Sequence, residues 1–319
     1  MSYRHVIEEI KKNKVFLIST HVNVDADALA GELALAQWLR AMKKKVHIVN
    51  AQDMPKMFSF FPGVKSIERF KKQNISYDVA IILDCGSLSR IAQVRELLAK
   101  DKKIINIDHH ITNNYFGHPN CVYPKASSTA EIIFDLLQHA RFPLNKTIAR
   151  LLYLGIMTDT GSFRYDSTSS RTHEIISQLL KFDIPIYQMY RKSYEDIPLR
   201  DMKEFASMIK DFEIHVKDRV ITFDLTRAKS RRFTQSFDLR DRIFTFLRAI
   251  KGVEVVVIFT EVSKKQTRVN FRSQEKVDVA RLAHDFEGGG HKRASGCRIN
   301  EDLKTAKQII LKQLHRTLT

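Results

Sequence analysis

The sequence predicts an α/β protein. A doubly wound, mostly parallel sheet fills its amino-terminal part, and a smaller α/β domain follows across a helical linker. Three observations carry this. Short strand-like apolar runs alternate with stretches of helical composition as far as residue 160, the order that builds parallel sheets with helices on their faces. Several of those runs stop on acids or imidazoles where turn residues are usual, and open α/β sheets collect ligands at the carboxyl ends of their strands. Beyond residue 212 the strand-like runs sit next to one another, as in hairpins. The expected divisions are residues 1–190, a linker over 191–212, and residues 213–319.

Composition narrows the class. With 319 residues the chain has room for two domains, and 44% hydrophobic against 28% charged residues describes a soluble globular protein. No window approaches the roughly 18 apolar residues of a membrane span, and Met1–His5 leads into a charged amphipathic stretch, so a cytoplasmic protein is expected. The three cysteines, Cys85, Cys121 and Cys297, are far apart and odd in number, which argues against a disulfide framework or a thiolate zinc site. A formal charge of +17 favours an anionic partner. The cations lie in short clusters such as Lys43–Lys45 and Arg231–Arg232, so charge alone does not name that partner.

Taken in order, residues 4–13 have helical spacing, and Lys14–Thr20 reads as a buried strand ending in His21–Asp27. In an extended segment Asp25 and Asp27 fall on one side, so one His and two Asp can face one cavity. Asp27 would also serve as the N-cap of a helix over Ala28–Met42, a role that calls for one acid only. Val46–Val49 is the next strand. Tyr77–Leu83 repeats the pattern and terminates at Asp84, and Cys85–Ser87 turns into a helix expected over Ser89–Lys100. Ile104–Ile107 then delivers Asp108, His109 and His110; a capping acid and two surface histidines is the plain structural alternative. Ala126–Glu131 has a helix-start signature whose Ser127, Ser128 and open amides suit either an N-cap or a bound phosphate. Ala149–Met157 suits helix better than strand and runs into Asp159.

Helical patterns over Thr172–Lys181, Pro185–Ser193 and Leu199–Lys210 lead to the second domain. There Phe212–Val216 and Val220–Leu225 are expected to pair, Asp238–Ala249 to be helical, and Val253–Glu261 and Arg268–Ser273 to form another hairpin. After a helix over Val279–Asp285 comes Gly288–Gly296, expected as a glycine loop whose amides close on an anion while His291, Lys292 and Arg293 add donors.

His21, Asp25, Asp27, Asp84, Asp108, His109, His110 and Asp159 thus all fall at element ends. Five buried carboxylates raise one another's pKa and cannot stay ionised together without cations. Oxygen-rich sites with imidazoles suit manganese or magnesium, and mixed Asp/His sites hold two ions about 3.5–4 Å apart that activate water and clamp a phosphoryl group.

The stretches His21–Asp27, Leu83–Asp84, Asp108–His110, Ala126–Thr129, Thr158–Phe163 and Gly288–Gly296, in that order, resemble the DHH phosphoesterases over essentially the whole chain. Within them the chain is similar to the two-domain nanoRNase/pAp phosphatase branch, with its carboxyl-terminal DHH-associated substrate-binding domain. The resemblance implies one metal held by His21, Asp25 and Asp84 and another by Asp27, Asp84, His109 and Asp159, with Asp84 bridging. It implies His110 at the scissile phosphate or in proton transfer, Asp108 orienting the neighbouring histidine, and Arg272, Ser273, His291 and Gly288, Gly289 and Gly290 gripping another phosphate. Val24 stands where the family usually has Pro, Ala30-Gly31 where it has Gly-Ser, and Ser295 where Ala is commoner; the Ser295 hydroxyl is expected beside the substrate.

The expected function is accordingly a two-metal phosphoesterase, with Mn2+ ahead of Mg2+ or Co2+. It would trim very short oligoribonucleotides and dinucleotides to mononucleotides and dephosphorylate adenosine 3′,5′-bisphosphate (pAp). A hydrolase of cyclic di-AMP or of linear pApA or pGpG is the near rival, and a non-catalytic nucleotide-binding regulator the rival of another class; the complete ligand set speaks against the latter. The compact length disfavours a processive exonuclease, and the Gly288–His291 stretch disfavours a pyrophosphatase. A homodimer is expected from the resemblance alone, and no membrane partner.

Overall fold

The apolar runs of the first half form strands because their Val, Ile and Leu side chains can be buried on both faces of a sheet. In the computed structural model, residues 2–72, 74–234 and 238–318 are described, and the side chains of Ser2 and His291 lie outside that description. The chain divides after Glu195 into two compact units. The first opens with α1 (Ser2–Lys12), β1 (Val15–Ser19), α2 (Ala26–Ala41) and β2 (Lys45–Asn50). It continues through β3 (Ile67–Arg69), β4 (Val79–Leu83), β5 (Lys103–Asp108) and β6 (Asn120–Val122). Four helices close it: α3 (Thr129–His139), α4 (Lys146–Asp159), α5 (Ser170–Leu180) and α6 (Ile186–Tyr194).

The strand order is β3-β2-β1-β4-β5-β6, with every pairing parallel. The chain leaves β1 toward one edge, then returns to β4 on the other side of β1. That reversal opens a crevice at the carboxyl ends of β1 and β4, where α/β sheets bind ligands, and His21 and Asp84 follow those two strands directly.

One face of the sheet packs Phe16, Ile18, Ile81 and Ile107 against α2, α3 and α4. Helix α2 is buried almost all round, because it lies between the sheet and α4. The other face is covered by Tyr77 and by residues 88–97. The helix expected over Ser89–Lys100 is instead two short 3-10 segments, broken at Ala92 with φ 46. Ile91 and Val94 are buried there three residues apart, the spacing of a 3-10 turn. The edge strands β3 and β6, three residues each, carry too little pattern to be read from sequence.

The second unit comprises α7 (Leu199–Met208), β7 (Glu213–His215), β8 (Val220–Leu225), α8 (Arg227–Ser230), α9 (Leu239–Leu247), β9 (Val255–Ser263) and β10 (Gln266–Ser273). It ends with α10 (Val279–His284), β11 (Gly289–His291), β12 (Ala294–Ile299) and α11 (Leu303–Leu318). Its sheet runs β11-β12-β10-β9-β8-β7, antiparallel except for β8 with β9. Val255, Val257, Phe259, Val269 and Phe271 pack under α10 and α11, while Val256 and Ile258 pack with α7 and α9 on the opposite face. The glycine stretch is not a loop. It supplies the edge strand β11, and a Cβ at Gly288 would lie 2.4 Å from the Gly296 carbonyl oxygen, so glycine is what lets the backbone press this close. Among the described residues no helix is long and apolar enough to cross a membrane.

Gly155 sits where α4 meets both α2 and α3. A Cβ there would lie 2.6 Å from Ala130 Cβ, 2.7 Å from Asp27 Oδ1 and 3.1 Å from Ala30 Cβ. Gly155→Ala is therefore expected to lower stability by about 1–3 kcal/mol through overpacking and to weaken divalent-cation binding by displacing Asp27. Urea unfolding and a metal titration check the two effects; unchanged values for both would show that the helices separate without strain.

Candidate metal centre

The site is built on the ends of β1, β4 and β5 and on the starts of α2 and α3. The Thr20 hydroxyl donates to the Leu83 carbonyl at 2.8 Å, tying the end of β4 to the residue after β1. Asp84 then turns into the left-handed region, φ 52, a conformation that Asp tolerates better than most and that gathers at functional sites. Its carboxylate is nearly enclosed. Oδ2 lies 3.3 Å from His21 Nε2, Oδ1 lies 3.5 Å from His109 Nε2, and the Thr129 hydroxyl donates to Oδ1 at 2.9 Å.

Around this centre the other ligand-type residues converge. His21 Nε2 is 3.5 Å from Asp25 Oδ2, and His109 Nε2 is 3.4 Å from Asp159 Oδ2, at the end of α4. His21 Nδ1 faces the Val22 carbonyl at 3.0 Å, and His109 Nδ1 faces that of Ala126 at 3.4 Å. Those acceptors favour the proton on Nδ1 and leave each Nε2 turned toward the acids as a ligand atom. Three groups have ligand atoms mutually within 4.8 Å: His21, Asp25 and Asp84; Asp27, His109 and Asp159; and Asp84, His109 and His110.

The N-cap of α2 is Asp25, which accepts from the Ala28 amide at 3.0 Å, and not Asp27. Asp27, in the first turn of the helix and buried, reaches across to α3, where it accepts from the Thr129 amide at 2.7 Å and the Ala130 amide at 3.0 Å. The amides that the sequence leaves open for a phosphate are thus taken by a carboxylate. Ser128 caps α3 by accepting from the Glu131 amide, and the Ser127 hydroxyl donates to the Glu131 carboxylate at 2.5 Å. Both serines are buried, so the helix-start reading accounts for them in place of the phosphate cradle.

Asp108 faces His110, not His109: its Oδ1 lies 2.7 Å from His110 Nδ1. Its Oδ2 accepts from the Asn113 amide group at 2.5 Å, and Asn113 is held in turn by Asn106 Oδ1 and the Cys85 carbonyl. Asn113 carries no signal in the sequence, and Thr129 stands there only as part of the Ala126–Glu131 helix start; they matter because each donates to a carboxylate of the cluster. Glu32, which the sequence reading does not single out, is a charge inside an otherwise apolar helix, a signal that could have found it. It is fully buried, and its Oε2 accepts from Asn50 at 2.8 Å. Asn50 Oδ1 accepts from the Thr20 amide at 3.2 Å, next to His21. Glu32 Oε1 has no hydrogen-bond partner among the described residues.

In the second unit, β10 alternates faces. Arg272 emerges on one side, its guanidinium 4.8 Å from the Phe244 ring centroid. Ser273 and Ser295 belong to the side packed by α10 and α11, and the Ser295 hydroxyl donates to the Val279 carbonyl at 2.5 Å. The pleat therefore separates Arg272 from the two serines expected beside it. Gly288 precedes β11, and Gly289 and Gly290 lie within it; the His291 side chain is outside the described residues.

Burial pulls the His21 imidazole down, but Asp25 and Asp84 outweigh it and push it up to about 10. His109 is likewise raised well above the usual range, with Asp159 and Asp84 overcoming burial. Burial would raise Asp84, yet His109, His21 and His110 hold it well below the ordinary carboxylate range. Asp27 stands well above that range through burial beside Asp84 and Asp159, and burial with Asp84 nearby pushes Asp159 up to about 6. Only Asp25 is well exposed, its side chain 56% accessible. Such a set is balanced either by protons on imidazoles and acids or by cations, and its oxygen-rich, His-containing donors fit divalent metal ions.

Residues 15–156 match the DHH family N-terminal domain, and residues 239–318 match the DHHA1 domain. The chain belongs to the DHH family of phosphoesterases. A Streptococcus mutans protein named probable bifunctional oligoribonuclease and PAP phosphatase NrnA is 28% identical over 98% of this chain and 99% of its own. The Thermus thermophilus protein named bifunctional oligoribonuclease and PAP phosphatase NrnA is 26% identical over 95% of this chain and 90% of its own. The crystal structure of an exopolyphosphatase-related protein from Bacteroides fragilis superposes with a TM-score of 0.88 at 25% identity, covering 99% of this chain and 97% of that one.

Because the neighbouring acids raise His21 and His109 above the usual imidazole range, a metal ion must compete with a proton at Nε2, and divalent binding is expected to release at least one proton and to tighten as pH rises. Calorimetry in buffers of different ionisation enthalpy measures that release; affinity independent of pH between 6 and 8 would contradict it. A second expectation concerns Glu32, which burial pushes up to about 8 against the opposing pull of Asn50 and His21. The folded state then binds a proton that the unfolded state has released, so its contribution to stability falls as pH rises from about 4.5 to about 8. Glu32→Gln should remove that slope, a difference on the order of a few kcal/mol across the window, read from urea unfolding at several pH values.

Proposed function

We propose that the chain hydrolyses very short oligoribonucleotides to mononucleotides and removes the 3′-phosphate of pAp, using two divalent ions, manganese ahead of magnesium or cobalt. The observation that carries this reading is Asp84, whose two oxygens face imidazoles of two separate ligand groups. His21, Asp25 and Asp84 would hold one ion, and Asp27, Asp84, His109 and Asp159 the other. When bound, the ions would supply Lewis acidity toward the phosphoryl group and the charge that lets these acids ionise together.

The chain's own groups do the rest. Asp108 accepts from His110 Nδ1, which keeps the proton there and makes Nε2 the atom through which His110 would give or take a proton at the phosphate. Asn113 holds Asp108 in that orientation from its other oxygen. Thr129 fixes Asp84, and the amides of Thr129 and Ala130 fix Asp27, so the acids are placed before substrate arrives. The substrate class follows from the names of the relatives in Streptococcus mutans and Thermus thermophilus, which align over most of the chain, and from a charge of +17 that favours phosphate-rich ligands. The same reading places the enzyme in the cytoplasm, where the three buried cysteines remain thiols.

The test is manganese-dependent release of mononucleotide from pApA, pGpG and a long single-stranded RNA, with pAp and cyclic di-AMP in parallel. Dinucleotides and pAp should turn over well ahead of the long strand. Asp84→Asn should reduce kcat on the order of a thousandfold or more, and His110→Ala by on the order of 10²–10⁴, with circular dichroism unchanged. Asp84→Asn retaining the parent rate, or equal rates on short and long strands, would refute the assignment.

A further inference from the structure

The open half of the second sheet carries an ordered surface outside the metal centre. Strand register places Val256, Arg272 and Ala294 in one row across β9, β10 and β12; Ile258, Asn270 and Gly296 in the next; and Thr260, Arg268 and Arg298 in the third. Residues paired this way share a face. On β9 that face is sealed, since Val256 and Ile258 pack with α7 and α9. On β10 and β12 it opens: Arg268, Asn270, Arg272 and Gly296 are half-buried and Arg298 is exposed.

Two features of this face suit an anionic ligand. Arg268 and Arg298 stand directly opposite each other on antiparallel strands, which gathers two guanidiniums at one place on the face. Asn270 Oδ1 and Thr260 Oγ1 are shielded from solvent without a hydrogen-bond partner among the described residues. Between the arginines Asn270 lies over Gly296, where a Cβ would stand 2.9 Å from Asn270 Nδ2, and the floor beyond it is bare. Gly296 pairs with Gly289 of β11, and a Cβ at Gly289 would meet nothing within 4 Å.

We propose that this face is a phosphate track for the oligoribonucleotide, in which Arg268 and Arg298 together grip a backbone phosphate. That grip lies four residues along β10 from Arg272, about 13 Å at the rise of a strand. Asn270 and the glycine floor face the nucleotide between. Paired guanidiniums suit a phosphate because each offers a planar fork of donors. The track rests on the oligoribonuclease reading and adds a length preference: the bisphosphate of a single nucleoside is too short to engage Arg272 and the arginine pair together.

The experiment compares the full-length parent with Arg268→Ala/Arg298→Ala and Arg268→Lys/Arg298→Lys, on a pentaribonucleotide and on pAp. The alanine pair should raise KM for the pentamer about tenfold more than KM for pAp, and make the slope of log KM against log salt shallower by about 0.7, one lost phosphate contact for a single strand. The lysine pair should regain most of that slope. Equal KM changes for the two substrates, or an unaltered slope, would overturn the track. Anisotropy of a labelled pentamer in EDTA reads binding without turnover. A parent that binds the pentamer without cleaving it would sink the catalytic reading alone, whereas alanine variants that bind as tightly as the parent, or a parent that binds no pentamer, would sink the track. Arg298→Ala, at the exposed end, makes the same comparison where the double variant fails to fold.

Discussion

The candidate centre of the amino-terminal unit is arranged around one buried carboxylate. Asp84 is nearly inaccessible, sits in a left-handed turn, and has an imidazole against each of its oxygens. Burying a charge this deeply is costly unless it is paired and hydrogen-bonded, and the pairing draws in the ends of two other strands and the start of one helix. His21 reaches it from the end of β1, His109 from the end of β5, and Thr129 from the first turn of α3. The strand reversal beside β1 brings these ends side by side. Without that crossing, the same residues would lie at separate places on the surface.

The acids are sorted by their surroundings more than by their identity. Asp25, open to solvent, caps a helix and leans toward His21. Asp27, two residues on, is buried, bonded to the backbone of a helix a hundred residues away, and forced well above the ordinary range. Asp108 never faces the cluster as a bare charge, because Asn113 and His110 occupy both of its oxygens. Each carboxylate therefore has a different task, and the difference comes from what the fold places within about 3 Å of it. Beneath them Glu32 and Asn50 brace the turn that carries His21, a buried polar link inside an otherwise apolar helix layer.

The second unit shows how register gathers ordinary strand residues into one face. Arg268, Asn270 and Arg272 alternate with Val269, Phe271 and Ser273, which is unremarkable in a sequence. Pairing with Ala294, Gly296 and Arg298 turns the alternation into a basic face with a glycine floor on one side and an apolar core on the other. The glycines themselves act by allowing β11 to press against β12, not by forming a flexible anion loop.

The sequence by itself determined the parallel sheet, the positions of the long strands, the hairpin of the second unit and the polar clusters that end the strands at Asp84 and at Asp108, His109 and His110. Those features are local: buried strands need continuous apolar runs, and a polar cluster ending such a run is visible without knowing its neighbours. The tertiary structure decided which acid caps α2, that Ser127 and Ser128 turn inward, that residues 88–97 form 3-10 turns, and that Asn113, Thr129 and Glu32 support the centre. Each of these depends on a partner distant in the chain, such as the amides of α3 for Asp27 or the carboxylate of Asp108 for Asn113. A hydrogen bond across a crevice leaves no period in the sequence, because either residue alone looks like ordinary loop or helix composition until the fold brings the other to it.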